Sequence, residues 1–174
     1  MILIWTSVAA LSLAWFAGDA VLGLLVAPRL FHHAAEAGIG TAFPGLVFGD
    51  LLGRWVTIAG ILLVIPIVGL LAAVAGRALK QRGWKAAVLP MCIITLVLSA
   101  HVTSVTVVKQ GLKTAAELRE HPDAERAERF RTSYHTRSRI VFSAEMLTAL
   151  GLAIGAAIAA HRAWDRARPA RQGQ

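Results

Sequence analysis

A few ionisable side chains occur inside otherwise apolar stretches of this sequence. The clearest are Asp19, His101 and Glu145, each flanked by aliphatic residues. A carboxylate and an imidazole can together bind a borderline divalent cation or relay protons, and burial changes how readily each is protonated. The same groups can instead form an internal salt-bridge and hydrogen-bond network that fixes helix register without a ligand. For His101 alone, a neutral imidazole bonded to a carboxylate or a hydroxyl fits better than a metal ligand.

The residues before Glu145 place further polar groups on one side of a helix. If the helix continues from this segment into the last apolar stretch, one stripe with 3-4-3-4-3 spacing contains Glu128, Arg131, His135, Ser138, Phe142 and Glu145. The predicted pocket residues are Asp19, Arg54, His101, His135, Ser138 and Glu145. The candidate metal ligands are His101, Glu145, Asp19, His135 and His33.

The composition indicates which elements must position these residues. Hydrophobic residues make up 56% of the 174 residues and charged residues only 16%, and the mean hydropathy is +0.61. Four long apolar segments lie at about 2–27, 51–76, 86–108 and 140–160, each near the ~20 residues that a helix needs to cross a bilayer. The sequence therefore predicts an all-α integral membrane protein, an antiparallel four-helix bundle that forms a single transmembrane domain over residues 1–174.

The distribution of basic residues predicts the topology. The short connection between the second and third spans contains Arg77, Lys80, Arg82 and Lys85 without an acid, and the tail at 161–174 is also basic. By the positive-inside rule, both of these basic segments belong in the cytoplasm. The sequence therefore predicts a multi-pass protein of the cell membrane whose N- and C-termini are both cytoplasmic. Residues 28–50 and 109–139 then form the outer connections, and Pro28 predicts a bent or re-entrant segment in the first. Trp55, Phe130 and Tyr134 fit an outer aromatic belt.

The buried ionisable groups share one depth in these spans. Counted from the middle of each span at about 1.5 Å per residue, Asp19, His101 and Glu145 each lie about 6 to 8 Å from the midplane, toward the same side. Arg54 lies farther out on that side. Because an unpaired charge in hydrocarbon is costly, such groups normally face the interior of a bundle. The sequence therefore predicts a polar pocket that opens toward the outer leaflet.

The last span also carries a flank of small residues. Gly151, Gly155 and Ala159 follow a small-xxx-small pattern that lets another helix approach closely. This pattern predicts close packing, either inside the bundle or between copies in a homo-oligomer or a larger membrane complex. The formal net charge of +8 reflects topology, because the cations lie at helix ends and in connections. The bilayer is therefore the expected partner, and nucleic acid is not.

The motifs favour a non-catalytic protein. The sequence contains no Gly-rich phosphate loop, no HExxH zinc motif and no serine nucleophile elbow. Haem is disfavoured because His101 is the only histidine inside a predicted span, which leaves a metal ion as the candidate cofactor. The first hypothesis is a membrane protein whose pocket handles an ion, a metal or a small solute. The alternative is a non-catalytic accessory subunit of a larger membrane complex.

Two stretches of the sequence, one that follows the first apolar segment and one that leads into the last, resemble those of a known family. They are "APRLF" with "GIGTAFPGLVFGDLLGRW" after the first apolar segment, and "ERFRTSYHTRSRIVFSAEML" before the last, which contains Phe130, His135 and Ser138. In these stretches and in its four-span layout the chain resembles the transmembrane protein 205-like family of small four-helix membrane proteins. It departs from the family pattern in the basic residues around His135 and in the adjacent His32 and His33. The resemblance implies a membrane fold and no particular reaction.

Overall fold

The described part of the chain is almost entirely helical. The computed structural model describes residues 2–40, 42–79, 85–121 and 123–167, and no strand occurs among them. The elements in chain order are α1 (Ile2–Ala20), a π-helical turn (Val21–Val26), α2 (Ala27–Glu36), α3 (Ala42–Leu79), α4 (Lys85–Glu120) and α5 (Ala124–Ala167). The predicted cytoplasmic connection at 80–84 and the end of the tail at 168–174 lie outside the described residues.

Four helices are long and apolar enough to cross a membrane, as the sequence predicts. The first of them is α1 with its continuation through α2. The segments between the predicted spans at 28–50 and 109–139 are mostly helical in the described residues: α4 continues to Glu120, and α5 begins at Ala124. Asp123 caps α5, since its side-chain oxygen accepts the backbone N–H of Arg126 at 2.9 Å. The stripe that leads to Glu145 is therefore continuous helix.

A π-helical turn lies just before Pro28, in the region where the sequence predicts a bent or re-entrant segment. In this turn the backbone N–H of Ala27 donates to the carbonyl of Leu22, five residues earlier. Proline has no N–H, and its ring clashes with the carbonyl four residues before it in a regular α-helix. The wider π turn just before Pro28 fits this restriction. The chain therefore continues past Pro28 as α2.

Each long helix contacts mainly two others in the described residues. Interfaces join α1 to α3, α3 to α4, α4 to α5 and α5 to α1, and the α1–α5 interface is the most extensive. Between α1 and α3, Val8 lies against Gly69 and Asp19 bonds Trp55, so residue numbers rise on one helix as they fall on the other. Each helix therefore lines a shared interior with one face.

The interior contains two apolar clusters along the helix axes. The larger cluster includes Trp15, Val97 and Ala149, and the smaller one includes Leu22 and Val108. The heptad-like spacing of the buried residues on α1 and α5 explains why one face of each helix is covered. Many large aliphatic side chains remain exposed on the opposite faces. Such exteriors are compatible with contact to the lipid bilayer.

Candidate functional site

A group of buried or half-buried polar side chains lies among the residues of the two apolar clusters. We call it the polar layer, and its members are Ser12, Trp15, Asp19, Trp55, His101, Ser104 and Glu145. On α1, Asp19 lies between Trp15 of one apolar cluster and Leu22 of the other. On α4, His101 lies between Val97 and Val108 in the same way. Asp19 and His101 therefore lie between residues of the two apolar clusters along the helix axes.

The centre of the polar layer is the pair formed by His101 and Glu145. The Nδ1 atom of His101 lies 3.0 Å from Oε1 of Glu145, within hydrogen-bond distance. The Glu145 side chain is 1% exposed and the His101 side chain 13% exposed. The two residues are 44 positions apart, so their contact joins α4 to α5. A carboxyl group and an imidazole in this geometry can share one proton, with either group as the donor.

The remaining sides of the His101 ring are also occupied. The Trp15 indole meets the ring edge-on, with centroids 6.2 Å apart and an interplanar angle of 85°. On α3, a Cβ atom added to Gly60 would lie 3.0 Å from His101 Nε2, which is tighter than ordinary van der Waals contact. Glycine at this position therefore leaves the space that the imidazole occupies. All four long helices thus contact or position His101.

Asp19 is held by a second contact in the same layer. The Trp55 Nε1–H group donates to Oδ1 of Asp19 at 2.7 Å, which joins α1 to α3. A Cβ atom on Gly18 would overlap the Trp55 indole, so glycine allows the ring to approach. Asp19 lies within electrostatic range of both Glu145 and His101. The structure therefore brings the three central residues of the predicted pocket into one site.

Several buried polar atoms in the layer have no hydrogen-bond partner within the protein. They are Ser12 Oγ, Trp15 Nε1, Asp19 Oδ2, Ser104 Oγ and Glu145 Oε2. Leaving a buried polar group unpaired costs on the order of 1–3 kcal/mol. Four of the five atoms are oxygens that can accept a hydrogen bond, and only the indole nitrogen is an obligatory donor. The layer is therefore rich in unused acceptors.

The other predicted pocket residues lie apart from this layer. Arg54 pairs with Asp50 on its own helix, with Nε 2.9 Å from Oδ2, and both side chains are exposed. His135 is exposed on the outer part of α5. The hydroxyl of Ser138 donates to the His135 carbonyl at 3.0 Å. The predicted set therefore separates into a buried group and a peripheral group.

The candidate metal ligands come together only in part, because His101, Glu145 and Asp19 share the polar layer whereas His33 and His135 lie outside it. His33 is exposed, and its Nδ1 lies 3.0 Å from Oε2 of Glu36. Among the described residues, no group of three or more histidine, cysteine, aspartate or glutamate side chains is arranged to hold a metal ion. The structure therefore gives no support to the predicted metal site.

The small-residue flank of α5 faces outward. Gly151 and Gly155 are exposed, and a Cβ atom added to either would meet nothing within 4 Å. The face of α5 that packs inside the chain includes Ala149, Leu152 and Ala156 instead. Close packing through these glycines within the chain is therefore not observed, and packing between copies stays a prediction.

The predicted pocket lacked four members of the polar layer, which are Ser12, Trp15, Trp55 and Ser104. Ser12 and Trp15 precede Asp19 by seven and four residues, and this heptad-like spacing could have assigned them to one face of α1. Trp55 was predicted in an outer aromatic belt, but its indole points inward to Asp19. An aromatic residue near a helix end can lie in an aromatic belt or point into the interior, so the sequence alone could not distinguish these two positions.

No protein-family model, curated protein or solved structure matches this chain. The helices and the candidate site are therefore the observations that indicate the class of protein. Four apolar helices fit a multi-pass membrane protein, and a buried layer of carboxylates, imidazole, hydroxyls and indoles lies between them.

Proposed function

We propose that this protein is an antiparallel four-helix membrane bundle that crosses the bilayer four times. Its helix lengths, its exposed aliphatic faces and the antiparallel contacts of neighbouring helices support this arrangement. The basic residues of the connection between the second and third spans and of the C-terminal tail favour cytoplasmic termini. Membership of the transmembrane protein 205-like family is part of the proposal, because that family has the same four-span layout.

We further propose that the polar layer binds and exchanges protons, with a small cation as the class of solute that fits it. The carrying observation is the buried contact of His101 with Glu145 beside the carboxylate of Asp19. Ionisable residues inside membrane helices are expensive to retain, and they commonly mark ion pathways and proton relays. The Glu145 carboxylate that contacts the imidazole, together with the Asp19 carboxylate within electrostatic range, can hold one or two protons without leaving a positive charge in the core.

Most of the unpartnered polar atoms in the layer are hydrogen-bond acceptors, and this favours a proton or a cation as the ligand. Oxygens of Asp19, Glu145, Ser12 and Ser104 can each accept a hydrogen bond. An anion would be repelled by two carboxylates and would find one indole N–H as its obligatory donor. A proton or a small cation that carries N–H or O–H groups would instead satisfy the acceptors. The proposal therefore excludes anions as the principal solute.

The test is proton flux in liposomes that contain the full-length protein. A pH-sensitive dye is enclosed, a negative-inside potential is applied with potassium and valinomycin, and acidification is followed with time. We expect Glu145→Gln to reduce the flux by about tenfold or more, because an amide cannot exchange a proton as a carboxyl group does. Glu128→Gln serves as the matched control, since Glu128 pairs with Arg131 on the exposed surface. Flux no greater than in protein-free liposomes would overturn the proposal.

A structural role for the layer gives a different result in the same experiment. If the residues only fix helix register, the wild-type protein shows no flux, while replacement of either partner lowers the melting temperature in detergent. Competition by ammonium or methylammonium distinguishes a cation site from a proton site, because only a cation site would be blocked.

An accessory subunit of a larger membrane complex is the second candidate. The outward-facing glycines of α5 favour it, because they leave a flat strip on which another helix could pack. A partner that co-purifies in fixed stoichiometry under mild detergent, and that is lost on Gly155→Leu, would support this candidate. A single monodisperse species without a partner would contradict it.

A further inference from the structure

A groove between α3 and α4 lies outside the polar layer. Its volume is about 360 Å³. The charged lining residues are Asp50, Arg54 and Arg119, and the apolar ones include Leu46, Leu112 and Ala116. We call it the α3–α4 groove.

The charges of the groove favour an anion. Arg54 is paired with Asp50 through its Nε atom, which leaves the terminal nitrogens of the guanidinium free of that contact. Arg119 is exposed and forms no ion pair with any residue in the described ranges. Two guanidinium groups against one carboxylate leave a net charge of +1. This charge complements one phosphodiester, which arginine binds through paired hydrogen bonds.

The surface below the groove is apolar and exposed. On α3, Ile61, Val64 and Val68 continue the stripe of Asp50 and Thr57, and each is more than half exposed. On α4, Val102 and Leu98 continue the stripe of Leu112 and are also exposed. From Arg54 to Val64 the helix rises about 15 Å, which matches the hydrocarbon depth of one leaflet. A molecule held here would thus have its charge at the arginines and its apolar part along the strip.

We propose that the α3–α4 groove binds an anionic glycerophospholipid. The lipid phosphate lies between Arg54 and Arg119, and one acyl chain follows the exposed strip of α3 and α4. A zwitterionic choline lipid fits less well, because its positive headgroup would meet two guanidinium groups and only one carboxylate. The site does not depend on the polar layer, and its occupancy goes beyond the proposed proton and cation exchange.

Native mass spectrometry of the full-length protein in a mild nonionic detergent tests the proposal. Dioleoyl phosphatidylglycerol and dioleoyl phosphatidylcholine are added in equal amounts, and the retained lipid is counted. We expect phosphatidylglycerol to be preferred by about tenfold, and the double variant Arg54→Gln, Arg119→Gln to lose about tenfold or more of it. Arg119→Gln alone keeps the pair of Arg54 with Asp50 and should lose an intermediate amount.

The control is Arg131→Gln, which removes an arginine that pairs with Glu128 outside the groove. It should retain phosphatidylglycerol as the wild type does. Equal retention of the two lipids, or undiminished retention in a folded double variant, would overturn the proposal. Displacement of the lipid by millimolar inorganic phosphate would also overturn it, because the groove would then be a site for soluble anions.

Discussion

Two side-chain pairs in this chain join an acidic residue to a basic one in opposite surroundings. His101 and Glu145 meet in the polar layer, where their side chains are 13% and 1% exposed. Glu128 and Arg131 meet on the outer part of α5, where theirs are 60% and 66% exposed. The exposed pair joins neighbouring turns of one helix, whereas the buried pair joins two helices across 44 positions. The two pairs therefore have similar contact distances, but only the buried pair constrains how two helices meet.

The difference between these pairs follows from the cost of removing charge from water. At a surface, water and salt replace a lost partner, and the net stabilisation is small. In the interior, removal of one partner leaves the other polar group buried without an interaction that replaces water. The buried pair should consequently be sensitive to substitution, and the exposed pair should tolerate it. The following substitutions test this contrast, beginning with the largest expected effect.

Glu145→Ala should have the largest effect on stability. It removes the only hydrogen-bond partner that the structure shows for the His101 ring and leaves a cavity beside it. We expect the free energy of unfolding to fall by about 3–5 kcal/mol. Thermal unfolding in detergent, followed by circular dichroism, measures it. Glu145→Gln should retain most of the stability, because an amide oxygen still accepts from Nδ1, and equal losses in both variants would contradict the assignment.

Trp55→Phe should have the next largest effect. The substitution keeps an aromatic ring but removes the Nε1–H group that donates to Asp19. A hydrogen bond to a charged group contributes about 1.5–3 kcal/mol, so we expect a loss in that range. The variants Asp19→Ala and Asp19→Ala, Trp55→Phe complete a double-mutant cycle with Trp55→Phe, because alanine removes the acceptor. A coupling energy near zero would show that the contact does not contribute.

Gly18→Ala and Gly155→Ala provide a matched pair of glycine substitutions. A methyl group at Gly18 overlaps the Trp55 indole, whereas one at Gly155 meets nothing within 4 Å. We expect Gly18→Ala to destabilise the protein by about 1–3 kcal/mol through overpacking. Gly155→Ala should be neutral or stabilising by up to about 1 kcal/mol, because alanine is the better helix former. Denaturation of both variants under the same detergent conditions decides the sign.

Glu128→Ala should have the smallest effect. Its partner Arg131 remains hydrated on the exposed surface of α5, so we expect a loss of less than about 1 kcal/mol. A loss comparable with that of Glu145→Ala would remove the contrast between the two regions. The same thermal unfolding measurement provides the comparison directly.

Hydropathy could predict the helices but not how they meet. The four apolar stretches correspond to four long helices, because helix length and apolarity are properties of local sequence. The depth of Asp19, His101 and Glu145 also follows from counting residues, and the three do lie in one region. Arg54 was predicted farther out on the same side as a member of the pocket, yet it faces outward to Asp50. Depth is set by sequence position, whereas the direction of a side chain depends on helix rotation, which requires the packing partners.

The partners of the buried residues were the least predictable part of the site. Trp55 and Gly18 form a contact across 37 positions, in which the glycine provides space and the indole provides a donor. Neither residue type has a unique role by itself. Gly60 acts in the same way toward His101. Such pairs become recognisable when the facing helix is known, so a single sequence cannot identify them.

The π-helical turn at Val21–Val26 has a consequence for sequence length. It holds one residue more per turn than an α-helix, and one residue corresponds to about 100° of rotation. Deleting a single residue here would restore regular α-helical pairing and turn α2 by that angle. Phe31, whose ring meets Phe48 of α3 at 6.4 Å, would then face away from it. The turn therefore acts as a one-residue insertion that sets the rotational phase of α2 against α3.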